Sequence, residues 1–198
     1  MAEPDSRKAR LTLLMILAVF LIPVIAAYLY YIYRPAGESG NYGTLVQPPR
    51  ALQEFEMTDL DGNPAGVQAL KGKWTLLYVG GAECGEPCRQ GLYNIERVRL
   101  TQGKEMDRVQ SVYLVPASVE SRAVEERLVE YEGLRGYRIA PGELEAMAPG
   151  FDWADSGEPE RVYVIDPLGN LMMFYPGGAE PDGMKKDLKR LLKVSQIG

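Results

Sequence analysis

The N-terminal segment and the rest of the chain follow different hydrophobic patterns. Leu11 to Tyr33 is a run of 23 residues without a charged side chain, long enough as a helix to cross about 30 Å of hydrocarbon. Arg7, Lys8 and Arg10 precede it and only Arg34 directly follows. The positive-inside bias therefore predicts residues 1–10 in the cytoplasm and everything after Tyr33 on the far side. Tyr28, Tyr30, Tyr31 and Tyr33 read as an aromatic belt at the outer boundary, and Pro23 predicts a kink. The run exceeds the roughly 7–15 apolar residues of a secretory signal. Ala26-Ala27 is followed by more apolar sequence rather than a polar boundary, so residues 11–33 read as an uncleaved transmembrane anchor.

Beyond the anchor the pattern changes twice. Residues 34–50 are rich in Gly, Pro and polar side chains and read as a linker. From Ala51 onward short apolar runs alternate with helical periodicities. Phe55, Met57 and Leu60 before Asp61-Gly62-Asn63-Pro64 predict a hairpin. Trp74–Val79 and Val109–Val115 scarcely alternate, the pattern of strands buried on both faces. Between them Leu92, Ile95 and Val98 recur at helical spacing, and Val124, Leu128 and Tyr131 mark a second helix. Residues 133–160 read as irregular with a short helix at 142–148. Arg161–Ile165 and Leu171–Tyr175 flank the turn Asp166-Pro167-Leu168-Gly169-Asn170, and Met184, Leu188, Leu191 and Leu192 line a Lys-rich final helix capped by Asp182. A βαβ unit followed by a ββα unit predicts an α/β domain over residues 51–198: a thioredoxin-like mixed sheet with helices on both faces.

Composition narrows the function classes. The 198 residues are 46% hydrophobic and 25% charged, with a net charge of −5. That suits one globular domain plus an appendage and supplies no basic nucleic-acid surface. The chain has two cysteines, Cys84 and Cys88, and no histidine. The cysteines follow the Trp74–Val79 run and precede a helical pattern, which places them at a strand-to-helix corner where the helix N-terminus favours thiolate. A dithiol there can exchange electron pairs or hold a soft metal.

The local sequence is Glu83-Cys84-Gly85-Glu86-Pro87-Cys88-Arg89. With Cys84 as the helix cap, Cys88 would lie one turn on. Helical neighbours at that spacing have Cβ atoms about 5–6 Å apart, against the roughly 3.5–4.5 Å of a disulfide. Closure would then deform the first turn, helped by Gly85 and Pro87, and give a more reducible bond. Glu83 and Glu86 oppose thiolate formation while Arg89 and the helix dipole favour it, so a moderately reducing pair is expected. The alternative is an inert staple closing a very short loop, which constrains the unfolded chain little.

Gly72-Lys73-Trp74-Thr75-Leu76-Leu77-Tyr78-Val79, the Cys84/Cys88 pair, Tyr163–Asn170 and the Lys-rich final helix resemble the Sco/SenC family over roughly residues 51–195. The resemblance implies a membrane-anchored thioredoxin-fold protein that helps mature the copper site of cytochrome c oxidase. It further implies a bacterial inner-membrane location with a periplasmic C-terminal domain. An oxidase subunit or other assembly factors would be its partners. Family members bind copper through both cysteines and a histidine shortly before the Tyr-x-x-Asp-Pro strand. Here Glu158 falls near that position, and the family's aspartate-rich segment reads Pro116-Ala117-Ser118-Val119-Glu120. The chain thus resembles a divergent member without the imidazole ligand.

Cys84 and Cys88 are the candidate catalytic residues and also the candidate Cu(I) ligands. Cu(I) tolerates two thiolates, and Met147, Met172, Met173 or Met184 would be thioether donors, although methionines at such positions usually fill cores. A structural zinc needs four N/S-type ligands. Thiol–disulfide exchange needs only the pair, with Cys84 attacking and Cys88 resolving by analogy with thioredoxin-fold proteins. Pro159 is the candidate for a cis-proline facing the cysteines, against an ordinary trans loop proline. Three functions stay open: a thiol–disulfide redox factor for oxidase copper-site maturation, a Cu(I) chaperone, and a non-catalytic assembly scaffold.

Overall fold

One helix, α1 (Ser6–Tyr33), takes up the apolar N-terminal run and continues through Pro23. The computed structural model describes residues 6–33, 40–149 and 161–195. The chain divides into two units, residues 1–40 and 41–198. Within α1, Arg10–Tyr30 has a mean hydropathy of 2.6 and is long and apolar enough to cross a membrane.

The second unit is built on one sheet of eight strands. These are β1 (Thr44–Ala51), β2 (Met57–Asp59), β3 (Pro64–Ala65), β4 (Trp74–Val79), β5 (Val109–Pro116), β6 (Leu134–Ile139), β7 (Val162–Ile165) and β8 (Asn170–Tyr175). Their spatial order is β1-β8-β7-β4-β5-β6-β2-β3. β4, β5 and β6 run parallel and every other pairing is antiparallel, so the sheet is mixed. Among the described residues four α-helices accompany it: α2 (Glu86–Leu100), α3 (Ser121–Leu128), α4 (Glu143–Met147) and α5 (Pro181–Val194).

The helical periodicities point where the sequence predicts. Leu92, Ile95 and Val98 of α2, Val124 of α3 and Met184, Leu188 and Leu192 of α5 share one core cluster with Leu76, Tyr78, Tyr113 and Val164 of the sheet. Each such fully buried aliphatic side chain contributes about 1.5–3 kcal/mol. Leu77, Val112, Leu114, Tyr163 and Ile165 face the other way, against a 3-10 turn (Val67–Leu70) and Met147 of α4. Among the described residues helices therefore lie on both faces, unequally: α2, α3 and α5 on one and the five-residue α4 on the other.

Three expectations are corrected. Residues 44–50, expected as linker, belong to β1, which pairs with β8 through Thr44, Leu45, Arg50 and Ala51 and breaks register between. Pro48 and Pro49 occupy that break, and a strand can hold prolines only at an edge or a bulge. Residues 134–139, expected as irregular, form β6 between β5 and β2. Gly136 interrupts its pattern because a Cβ there would stand 3.0–3.1 Å from Leu128, Leu60 and Val124. Finally, Asp182 does not cap α5: the N-cap is Glu180, with no side-chain capping bond, and Pro181 opens the helix. Proline's fixed φ suits that first position, and Asp182 in the first turn favours the dipole from inside the helix.

Two carboxylates anchor the frame. Asp166 Oδ1 accepts the N–H groups of Leu168 (2.9 Å) and Asn170 (2.8 Å), while its Oδ2 accepts Asn170 Nδ2 (2.8 Å). With Gly169 at φ +89°, this closes the β7–β8 turn, so the Asp-Pro-x-Gly-Asn motif is structural. Asp187 of α5 is 1% exposed and its Oδ2 accepts the backbone N–H of Tyr42 and Gly43 and the hydroxyl of Tyr175. The beginning of the second unit is thereby fastened to its last helix.

Candidate functional site

β4 ends at Val79, and the chain turns through Gly80–Gly85 into α2. Gly80 N donates to Leu114 O (2.9 Å), holding the exit of β4 against β5. The helix begins at Glu86 with Gly85 as N-cap and Pro87 in its first turn. Cys84 therefore lies one residue outside the cap and Cys88 lies inside the first turn.

The two cysteines form a disulfide with a Cα–Cα distance of 5.1 Å. Since Cys84 is not the cap, the bond closes without the distortion of the first turn expected from sequence: a residue outside the helix is free to bring its sulfur over. Cys88 is 2% exposed and belongs to the core cluster beneath α2, whereas Cys84 is half-buried at the cluster's margin. Cys84 also lines a cleft of about 250 Å³ walled by Arg89, Leu92, Glu126, Arg127 and Tyr131. One sulfur-bearing residue is reachable and the other is sheltered.

One of the acidic side chains beside the pair is compensated. Arg89 Nε and Nη2 donate to Glu86 Oε2 over 3.2 and 2.6 Å, and Arg89 Nη1 donates to Cys84 O over 3.4 Å. Glu86 thus opposes thiolate less than its bare charge implies, although so exposed an ion pair contributes little stability. Tyr131 Oη donates to the carbonyl of Arg89 (3.3 Å). Burial pushes the Tyr131 hydroxyl above its ordinary range, with Glu130 adding to the effect.

Below the disulfide lie residues that sequence reasoning did not single out. Tyr113 Oη is 3.6 Å from Cys88 Sγ, and Arg127 Nη1 donates to the same Oη over 3.2 Å. Arg127 Nη2 donates to Ala82 O (2.7 Å), in the loop leading to Cys84. Burial raises the Tyr113 hydroxyl and Arg127 pulls it back in part. Tyr113 and Tyr78 rings stand 6.0 Å apart, and two glycines make room for them. A Cβ on Gly80 would come within 2.5 Å of the Tyr113 ring, and one on Gly91 within 2.3 Å of the Tyr78 ring. The available signal was Gly80 directly after β4 and Gly91 inside α2, readable only once their ring partners are known.

The candidate methionines divide between the two core clusters. Met147 lies in the cluster on the opposite sheet face from Cys88, and Met173 and Met184 are buried in the core. Met172 is partly buried against that core, and Met173 Sδ lies 3.3 Å from Tyr175 Oη. Among the described residues no group of three His, Cys, Asp or Glu side chains is arranged to hold a metal. Glu158 and Pro159 lie outside the described residues. The cis peptide within them is Gln47–Pro48.

Comparisons with known proteins agree with this architecture. The family described as transmembrane-like, thioredoxin-like, C-terminal domain matches residues 74–195. A curated protein of Stutzerimonas stutzeri named "Putative copper-binding protein" is 25% identical over 154 residues, covering 73% of this chain and 74% of its own length. Copper-bound yeast Sco1 superposes with a TM-score of 0.62 at 18% identity, over 74% of this chain and 95% of that one. BsSco, named for a disulfide switch and as a member of the Sco family of cytochrome c oxidase assembly proteins, gives a TM-score of 0.58 at 13% identity, over 75% and 96%. At such identities the structures establish the fold, a Sco-like thioredoxin fold.

Proposed function

This chain belongs to the transmembrane-like, thioredoxin-like C-terminal domain family, and from that premise we propose that it is a membrane-tethered thiol–disulfide redox factor. Its target would be the copper-ligand cysteines of a respiratory oxidase subunit, kept reduced during assembly. The observation that carries the reading is the asymmetry of the pair: half-buried Cys84 beside an open cleft, bonded to buried Cys88. In the reduced protein the Cys84 thiolate attacks a target disulfide, forming a mixed disulfide and releasing one target thiolate. Cys88 then attacks Cys84 Sγ, freeing the second target thiolate and closing the intramolecular bond. A donor dithiol restores the pair by the reverse exchange. The oxidase target rests on the resemblance to Sco/SenC proteins and on the assembly role in the name of BsSco. In this reading α1 is the anchor, residues 1–10 are cytoplasmic and the thioredoxin-like unit lies in the periplasm of a bacterial cell.

The name of the Stutzerimonas stutzeri relative favours a second reading, in which the same sulfurs carry Cu(I) as cargo. The donor chemistry fits only in part. Two thiolates suit Cu(I), but Met147 lies in the cluster on the other face of the sheet from Cys88, and Met172, Met173 and Met184 pack in or against the core. Copper and the disulfide also exclude each other, because the metal needs both sulfurs reduced.

Redox titration of the full-length protein in detergent, with thiol trapping, tests the first reading. A midpoint above about −300 mV is expected, and one below that value marks a closed structural bond and overturns it. Cu(I) titration of the reduced protein against Cys84→Ser and Cys88→Ser separates the second. Tight stoichiometric binding lost in both variants would favour copper carriage; weak, easily competed copper would end that reading.

A further inference from the structure

The buried sulfur of the pair faces a polar relay. Tyr113 Oη lies 3.6 Å from Cys88 Sγ, and Arg127 Nη1 donates to that oxygen over 3.2 Å. A guanidinium can only donate, so it takes up a lone pair of Tyr113 Oη and leaves the hydroxyl proton for another acceptor. Cys88 in the disulfide has no proton to give, which makes Tyr113 the donor and the sulfur the acceptor. The second guanidinium arm is held by Ala82 O at 2.7 Å, so the relay is tied to the loop that carries Cys84. The missing side chain of Gly80 is what admits the Tyr113 ring, since a Cβ there would stand 2.9 Å from the hydroxyl oxygen itself.

We propose that Tyr113 is a catalytic hydrogen-bond donor to the Cys88 sulfur and that Arg127 is the positioning residue that aims it, on the thiol–disulfide reading given above. When a thiolate of the donor dithiol attacks Cys84 Sγ, a new sulfur–sulfur bond forms and the Cys84–Cys88 bond breaks. The electron pair stays on Cys88 Sγ. That sulfur is buried, where an uncompensated negative charge is costly. The Tyr113 hydroxyl already points to where this charge develops, and the Arg127 cation behind it polarises the O–H bond. Neither bond has to be made during the reaction, which is how pre-placed donors accelerate such steps. An ordinary tyrosine hydroxyl is already protonated in the neutral range and burial raises this one further, so the donor is always present. The reverse step, attack of Cys88 on a mixed disulfide, passes through the same arrangement.

The test compares wild type, Tyr113→Phe, Arg127→Met and the double variant as full-length proteins in detergent. Reduction of the disulfide by dithiothreitol gives the rate, and equilibration with glutathione gives the potential. Tyr113→Phe removes only the hydroxyl, and it is expected to slow reduction about tenfold. A tenfold loss in the equilibrium constant would appear as a potential about 30 mV more negative. Arg127→Met shifts both readouts in the same direction, and the double variant adds nothing to Tyr113→Phe, because the guanidinium acts through the hydroxyl. A Tyr113→Phe protein with wild-type rate and potential overturns the inference, as does an Arg127→Met effect that adds in full to it. Should Tyr113→Phe fail to fold, wild-type behaviour of Arg127→Met overturns the relay alone. If instead the wild-type disulfide resists reduction altogether, the redox reading itself has failed.

Discussion

Tyr175 donates its hydroxyl to Asp187 Oδ2 across 3.1 Å of buried interior, and that oxygen also accepts the N–H groups of Tyr42 at 2.7 Å and Gly43 at 2.9 Å. One carboxylate thus joins the start of the thioredoxin-like unit, the last strand and the last helix. Lys186 and Arg190 reinforce the junction from outside through Tyr42 Oη and Asn41 Oδ1, both at 3.1 Å. Asp187→Ala leaves three donors without their acceptor, and it is expected to destabilise the unit by roughly 3 kcal/mol. Urea unfolding followed by circular dichroism checks this; an unchanged midpoint would show that the carboxylate carries no share of the stability.

The same contact sets an alkaline limit. Burial, followed by the Asp187 charge, raises the Tyr175 hydroxyl far above its ordinary value of 10.0. A folded pKa above the unfolded one means the folded state holds its proton longer. The associated stability is complete below pH 10 and is lost as pH rises beyond it, because the unfolded chain ionises first. Unfolding free energy should therefore be flat from pH 8 to about 10 and fall above that. Tyr175→Phe should have a shallower fall, and an identical slope in the two proteins would remove Tyr175 from the account.

Gly91 offers a test of packing against propensity. Alanine is the better helix former by about 1 kcal/mol, yet its Cβ would lie 2.3 Å from the Tyr78 ring. Overpacking of this kind costs about 1–3 kcal/mol, so Gly91→Ala should be neutral to destabilising despite its propensity gain. A thermal midpoint raised above wild type would mean that the Tyr78 ring moves aside freely.

Unequal burial of the cysteines predicts unequal trapping. Cys88→Ser leaves the half-buried thiol of Cys84 to form mixed disulfides with partners, whereas Cys84→Ser leaves only a thiol that is 2% exposed in the folded protein. Trapped species on non-reducing gels should be at least about tenfold more abundant for Cys88→Ser, following thiol accessibility. Equal trapping would show that the first turn of α2 opens easily.

Much of the fold was legible because its signals are local. β4 and β5 announce themselves as unbroken apolar runs, and α2 and α5 as 3.6-residue periodicities. β1 and β6 were hidden because Pro48, Pro49 and Gly136 carry the signature of loops. Their strand character comes from what lies beside them, a sheet margin in one case and the packed side chains of Leu60, Val124 and Leu128 in the other. The site divides in the same way. Spacing alone drew attention to Cys84 and Cys88, but Tyr113 and Arg127 arrive from β5 and α3, and their relation to the pair exists only after folding. The capping assignment failed by one residue, which moved Cys84 out of the helix.

The two flanks of the sheet restrict how this domain can meet another polypeptide. On one side β1 presents Pro48 and Pro49, which have no N–H to offer a neighbouring strand, and on the other β3 is only two residues long. Among the described residues a visiting strand therefore finds a ladder broken by prolines on one flank and a very short one on the other. Recognition is left to the loops and helix ends, the cysteine corner among them.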